Sequence, residues 1–335
     1  MGKKIGGTSS DYGRNIAIDA SNNIHIYGTY IGTVDFNPDA GINTLDSVAN
    51  GGNFFAKFDS NGIFLIANSL KATINTILVD SSNSLILTGT FSGVQDFDTM
   101  AGVANLYSLR SNVFLAKYDN STSYVFAKLI GGDKPTNNIT NFVATDGTGN
   151  IYRVGSLSAT TDLDPSAAVF NLSSPTALAI FIAKYTPNGS LLWAKSFSGG
   201  TSLVVSLMNT DINGNTYITG RFLGTVDFDP SANTANLTST SSTLNDMYIA
   251  KYDSNGNYLW AKQLSGNVGG GSSKRMLFDT VGNFYFTGRI SGTDPIDFDP
   301  SPTAAVYLTP VGFVDTFFAK YSPQGDYIWA KVLAV

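Results

Sequence analysis

No cysteine occurs among the 335 residues, so neither a disulfide nor thiol chemistry can serve this chain. That absence leaves the compartment open. Charge is also scarce. Only 13% of residues are Asp, Glu, Lys or Arg, roughly half the usual share. The net charge is −5 and no basic stripe exists, which excludes nucleic acid as a natural partner. No run approaches the ~20 apolar residues of a membrane-spanning helix, so no membrane insertion is expected. A single histidine, His25, removes most routes to nucleophile–base catalysis. The opening MGKKIGGTSSDYG lacks the apolar centre of a signal peptide.

What is present is apolar, aromatic and short-period. Hydrophobic residues make up 43% and aromatics 12%, enough to bury a core. Gly, Ser, Thr and Asn separate short apolar runs, a mixture that suits strands and turns. Two markers recur five times. The lysine of Ala-Lys-Phe/Tyr falls at Lys57, Lys117, Lys184, Lys251 and Lys320. The first acid of DFDP falls at Asp35, Asp96, Asp162, Asp227 and Asp297. Both keep a spacing of 60 to 70 residues, which is the length of a propeller blade.

Within the fourth repeat, strands are predicted near Leu207–Asp211, Asn215–Phe228, Met247–Asp253 and Tyr258–Gln263. Asp211-Ile-Asn-Gly and Asp253-Ser-Asn-Gly supply Asn-Gly pairs for tight hairpins. Repeat two has Asp119-Asn-Ser-Thr instead, predicting a looser turn. The fold class is therefore all-β, a five-bladed β-propeller with four antiparallel strands per blade and 20 strands in all. One domain is expected over 1–335, with blades at 8–70, 71–131, 132–199, 200–267 and 268–335. Residues 1–7 align with Ala127-Lys-Leu-Ile-Gly-Gly, the end of a fourth strand. They are expected to be the remnant of a preceding repeat in a larger protein, free to pair beside the last blade and help close the ring. Trp193, Trp260 and Trp329, replaced by Ile66 and Phe126, are expected to pack between strands.

The phrases IAIDASNNIHIYGT, FFAKFDSNGIFL and YIAKYDSNGNYLWAK resemble SBBP (beta-propeller) repeats, which are related in pattern to NHL repeats. The form with GTVDFDP is similar to that of secreted Bacteroidetes proteins. The resemblance runs from about Ile5 to the end. It implies a secreted, extracellular or cell-surface bacterial protein with neighbouring domains of a larger parent protein, and says little about ligand.

Antiparallel connectivity puts the loops after strand two and the loops between blades at one end, and the tight turns at the other. A ligand is expected at the loop-rich end. There the D-x-D pairs Asp96/Asp98, Asp162/Asp164, Asp227/Asp229 and Asp297/Asp299, with Asp35/Asn37, offer oxygens for Ca²⁺. The competing expectation is that each Asp caps its loop, since Ca²⁺ takes about 6–8 oxygens. No other cofactor is expected. Where repeats disagree, Arg14, Arg221, Arg289, Lys274 and Arg275 offer cations for a carboxylate or sugar acid. Asp19, Asp80, Asp146, Asp211 and Asp279, ending each first strand, are expected to bond their own turns. Acid pairs repeated in every blade argue against a glycosidase or polysaccharide lyase, because catalysis needs one asymmetric site. The leading expectation is a non-catalytic adhesion module binding glycan or protein. A structural spacer or display module is the alternative, and a polysaccharide-active enzyme the remote one.

Overall fold

Strand follows strand with no helix among the described residues of the computed structural model. These are residues 2–47, 51–131, 142–157, 160–174, 176, 178–266, 272–292, 294–312 and 314–333, with the side chains of 272–274 outside the description. No helix there is long and apolar enough to cross a membrane. The arrangement is a five-bladed β-propeller of four antiparallel strands per blade. Blade 1 comprises Tyr12–Ile18, Ile24–Tyr30, Gly52–Phe58 and Phe64–Leu70. Blade 2 comprises Thr73–Val79, Leu85–Asp96, Asn105–Tyr118 and Tyr124–Ile130. Blade 3 has Phe142–Thr145, Ile151–Leu157, Ala179–Tyr185 and Leu191–Gly199. Blade 4 has Ser202–Thr210, Thr216–Leu223, Asp246–Tyr252 and Tyr258–Leu264. Blade 5 has Ser272–Phe278, Phe284–Ser291, Val314–Tyr321 and Tyr327–Leu333.

The expected 20 strands are exceeded because the DFDP loops are themselves structured. Short two-stranded ribbons form at Thr33–Asp35/Thr44–Asp46, Thr161–Asp162/Asn171–Leu172, Thr225–Asp227/Asn236–Thr238 and Ile296–Asp297/Tyr307–Leu308. In blade 4 the second strand thus stops at Leu223, and the first begins at Ser202, earlier than its apolar run suggests.

The chain divides into two compact units: residues 1–136 with 162–170 and 186–190, and residues 137–161 with 171–185 and 191–335. The first carries the sheets of blades 1 and 2. Its core joins Tyr27 and Phe55 of blade 1 to Leu85, Leu87, Phe114 and Tyr118 of blade 2. The second carries the sheets of blades 3 to 5. There the alternation of Met247–Tyr252 sends Tyr248, Ala250 and Tyr252 against blade 3, and Met247 and Ile249 against blade 5. A strand covered on both faces reads as apolar throughout, yet its period of two still assigns each face to a neighbour.

The two sequence markers keep step because they touch. The phenylalanine of DFDP is fully buried as Phe36, Phe97, Phe228 and Phe298, with Leu163 in blade 3. Its ring centroid lies 4.6–5.1 Å from Phe54, Phe114, Tyr248 and Phe317 of the third strand. The tyrosine of Ala-Lys-Tyr then donates its hydroxyl to that residue's carbonyl: Tyr118 to Phe97, Tyr252 to Phe228 and Tyr321 to Phe298, at 2.7–2.9 Å. Each such ring contributes about 1.5–3 kcal/mol by burial.

Residues 3–7 sit against blade 1. Gly6 bridges Asp35, as Ser198 pairs with Asp227 in blade 4, and Lys3 reaches Asp39 at 2.8 Å. The segment stands in the place of a preceding fourth strand's end.

Candidate functional site

At the loop-rich end the D-x-D residues hold the ribbons. The first acid of each pair accepts two backbone N–H bonds on one oxygen, at 2.8–3.1 Å. The donors are Asn37 and Asn43 for Asp35, Asp98 and Ala104 for Asp96, and Asp164 and Phe170 for Asp162. They are Asp229 and Ala235 for Asp227, and Asp299 and Val306 for Asp297. The second acid (Asp98, Asp164, Asp229, Asp299) accepts one N–H two residues on. Asn37 does the same for Asp39, so the task needs an oxygen and no charge. Among the described residues no group of three or more His, Cys, Asp or Glu side chains comes together. The donor set is that of a loop cap.

At the other end the five turn aspartates accept the N–H groups two and four residues on, as in Asp253 with Asn255 and Asn257 at the matching third-to-fourth-strand turn. They also do what sequence reasoning missed. Lys57, Lys117, Lys184 and Lys320 pair with Asp19, Asp80, Asp146 and Asp279 at 2.7–3.6 Å. Three of these lysines, and Lys251, latch onto the next turn along. Lys57 donates to the carbonyl of Asn120, Lys117 to Pro187, Lys184 to Ser254 and Lys251 to Pro323, at 2.8–3.3 Å. A lysine recurring inside an apolar strand was the available signal, because a buried ammonium requires a partner.

The turns depart from expectation in two ways. Only their last residue takes positive φ, at Gly62, Gly189, Gly214, Gly256 and Gly325, with an N–H bond back to the first residue. Repeat two is not looser. Thr122 adopts φ 62°, and both turn bonds form at 2.9 Å. Its hydroxyl accepts from Asn68 of the neighbouring blade. Phe126, Trp193 and Trp260 do pack, each against the turn glycine of the following blade: Gly189, Gly256 and Gly325.

Burial pushes the carboxyl of Asp19 up, but bonds from Asn23, His25 and Lys57 outweigh it and hold Asp19 well below the usual range. His25, buried beside Lys57, is held below its ordinary value.

The cations chosen from the sequence are divided between the two units. Arg14 occupies a bulge between Gly13 and Asn15 in the first unit, its guanidinium 5.4 Å from the Tyr12 ring. The others belong to the second unit. Arg221 lies between Val204 and Met247, Arg289 between Ser272 and Thr316, and Arg275 opposite Thr287. Lys274 occupies the bulge matching that of Arg14, its side chain outside the description. The Gly-rich loop residues 132–135 and 267–271 also lie outside the described residues. Two further buried acids went unread: Asp246 receives Thr240, Gln263 and Gly266, and Asp315 receives Val311 and Gly312.

No protein-family profile matches the chain. It is similar to an uncharacterized WD repeat-containing protein of Acanthamoeba polyphaga mimivirus, 24% identical over 324 residues. The match takes in 82% of this chain and 22% of that protein, so the chain spans about a fifth of the relative's length.

Proposed function

We propose that the chain is a non-catalytic protein-interaction module whose partner binds at the ribbon end. A propeller with a WD-repeat relative suggests a module of this kind. The observation that carries the reading is the division of labour between the ends. Charges that recur in every blade are used by the fold, as loop caps and lysine latches. Charges that differ from blade to blade, such as Arg221 and Arg289, lie beside the ribbons. An extracellular or cell-surface setting belongs to this reading through the resemblance to secreted repeats. Fractionating the source cells after tagging the chain tests that part.

The binding claim is tested by screening the immobilised chain against a displayed protein-fragment library and a glycan array. Fragments are expected to bind and to compete with antibodies against the ribbon loops, leaving antibodies against the tight turns undisturbed. Capture of glycans with no fragment selected would replace a protein partner by a carbohydrate one.

A further inference from the structure

Blade 2 departs from its neighbours in three ways at one place. Blades 1, 3 and 4 have a polar pair across the ribbon, Thr33 with Asp46, Thr160 with Ser173 and Thr225 with Thr238, each joined by a side-chain hydrogen bond. Blade 2 has Val94 opposite Tyr107. These are 64% and 58% exposed, and Leu109, two residues on, is 68% exposed. An aliphatic–aromatic stripe thus replaces a polar one.

The second difference is the strand edge. In blade 4 the ribbon strand Thr225–Asp227 is flanked by the preceding blade's tail, Ser198 opposite Asp227 and Gly199 opposite Val226. In blade 5 the Asp297 N–H donates to Ser265. In blade 2 the second strand meets the first only as far as Thr90 opposite Thr73. Beyond that, among the described residues, Gly93–Asp96 pair with the third strand alone. The Gln95 side-chain amide donates to the Asp96 carbonyl, and the backbone groups of Val94 face an open edge.

The third difference explains the second. The tails that close on a ribbon do so through Gly7, Gly199 and Gly266, where a Cβ would stand 2.6–2.8 Å from the carbonyls of Thr33, Thr225 and Pro295. The tail facing blade 2 reads Lys71-Ala72 where the others read Gly6-Gly7, Ser198-Gly199 and Ser265-Gly266. The Ala72 methyl forbids the close approach. A groove of about 270 Å³ results, lined by Lys71, Thr73, Ser92, Val94, Gln95 and Ser111 among others.

We propose that this edge, Ser92–Gln95, takes an extended segment of a partner protein as an added strand. The segment carries a carboxylate for Lys71 beside an apolar side chain for the Val94–Tyr107–Leu109 stripe. Backbone bonds supply affinity, while Lys71 and the stripe select the acidic–apolar pattern. The proposal rests on the protein-interaction reading above.

A phage-displayed octapeptide library panned on the chain tests it. Enriched peptides are expected to alternate apolar residues with Asp or Glu, and one of them, synthesised, provides the probe. Its affinity is expected to fall at least tenfold with Val94→Thr/Tyr107→Thr, which restores the polar pair. Lys71→Ser/Ala72→Gly should do the same by letting the chain's own tail close the edge. Thr225→Val/Thr238→Tyr should create no second site, because the blade 4 edge is already paired. Circular dichroism confirms folding of each variant. Failure to enrich any peptide, or equal binding to wild type and both blade 2 variants, overturns the proposal. Fragments that bind but are lost only with Arg221→Ala/Arg289→Ala overturn it too, while leaving the interaction reading standing.

Discussion

His25 stands where blades 3 and 5 place Tyr152 and Tyr285, and bonds the same turn aspartate: 3.2 Å to Asp19, against 3.1 and 3.3 Å for the tyrosines. Burial lowers the imidazole's pKa, Asp19 offsets this only in part, and the charge of Lys57 lowers it further. Below the ordinary value of 6.5, therefore, the unfolded chain takes up a proton that the folded chain refuses. Stability falls as pH drops through that region. Thermal melts should drop between pH 7 and pH 5 for the wild type and stay level for His25→Tyr; equal slopes would remove His25 from the account. A second loss is expected at lower pH. Burial opposes ionisation of Asp19 and Asp146, but their hydrogen bonds prevail, and Asn283 leads the groups that pull Asp279 down to about 2. Their contribution is present above the ordinary carboxylate value and is lost as pH falls toward 2. Backbone sign matters at the same scale. Gly256 sits at φ 73° with the Trp193 ring 2.6 Å from where a Cβ would stand. Gly256→Ala should cost about 2 kcal/mol in urea unfolding. Asn22→Gly, relieving φ 62° at a turn with no such ring, should gain about 0.5 kcal/mol.

In blades 2 to 5 the hairpin turn between third and fourth strands serves two blades, closing its own and offering a carbonyl to the lysine before it. Lys117→Met should therefore destabilise by about 3 kcal/mol, since Asp80 is left buried without its cation. Lys331→Met, on an exposed side chain, should fall within about 0.5 kcal/mol. Denaturant melts of the two variants provide the comparison. Strand positions, turn aspartates and the packing of Phe126, Trp193 and Trp260 were legible in the sequence because each follows from local spacing. The latches were not, because Lys117 and Pro187 lie 70 residues apart, and spacing reveals no such pair. Repeat two misled for a related reason. Asp119-Asn-Ser-Thr lacks glycine, but Thr122 is held at positive φ by its surroundings, with Asn68 bonding its hydroxyl.

Across the whole molecule, repetition explains the charges that recur in every blade, and departures from repetition mark the candidate site. The DFDP acids looked the most chemical in the sequence, yet Asn37 performs the same bond in blade 1. Melting temperature should therefore be indifferent to calcium or chelator. A rise with calcium would return these residues to metal binding. Arg14, Arg221 and Arg289 were legible as departures, whereas the open edge of blade 2 was not. It depends on one methyl group at Ala72, visible only once Gly199 and Gly266 are seen to touch a neighbouring carbonyl. The shared hairpin turns carry a consequence for engineering. A reporter peptide inserted in a ribbon loop, such as the exposed stretch at Ala232-Asn233, would leave every blade-to-blade bond in place. One residue added inside Ser254–Gly256 would unseat both the Lys184 ammonium and the Trp193 ring. Permissive and forbidden insertion points thus fall at opposite ends of the same blade.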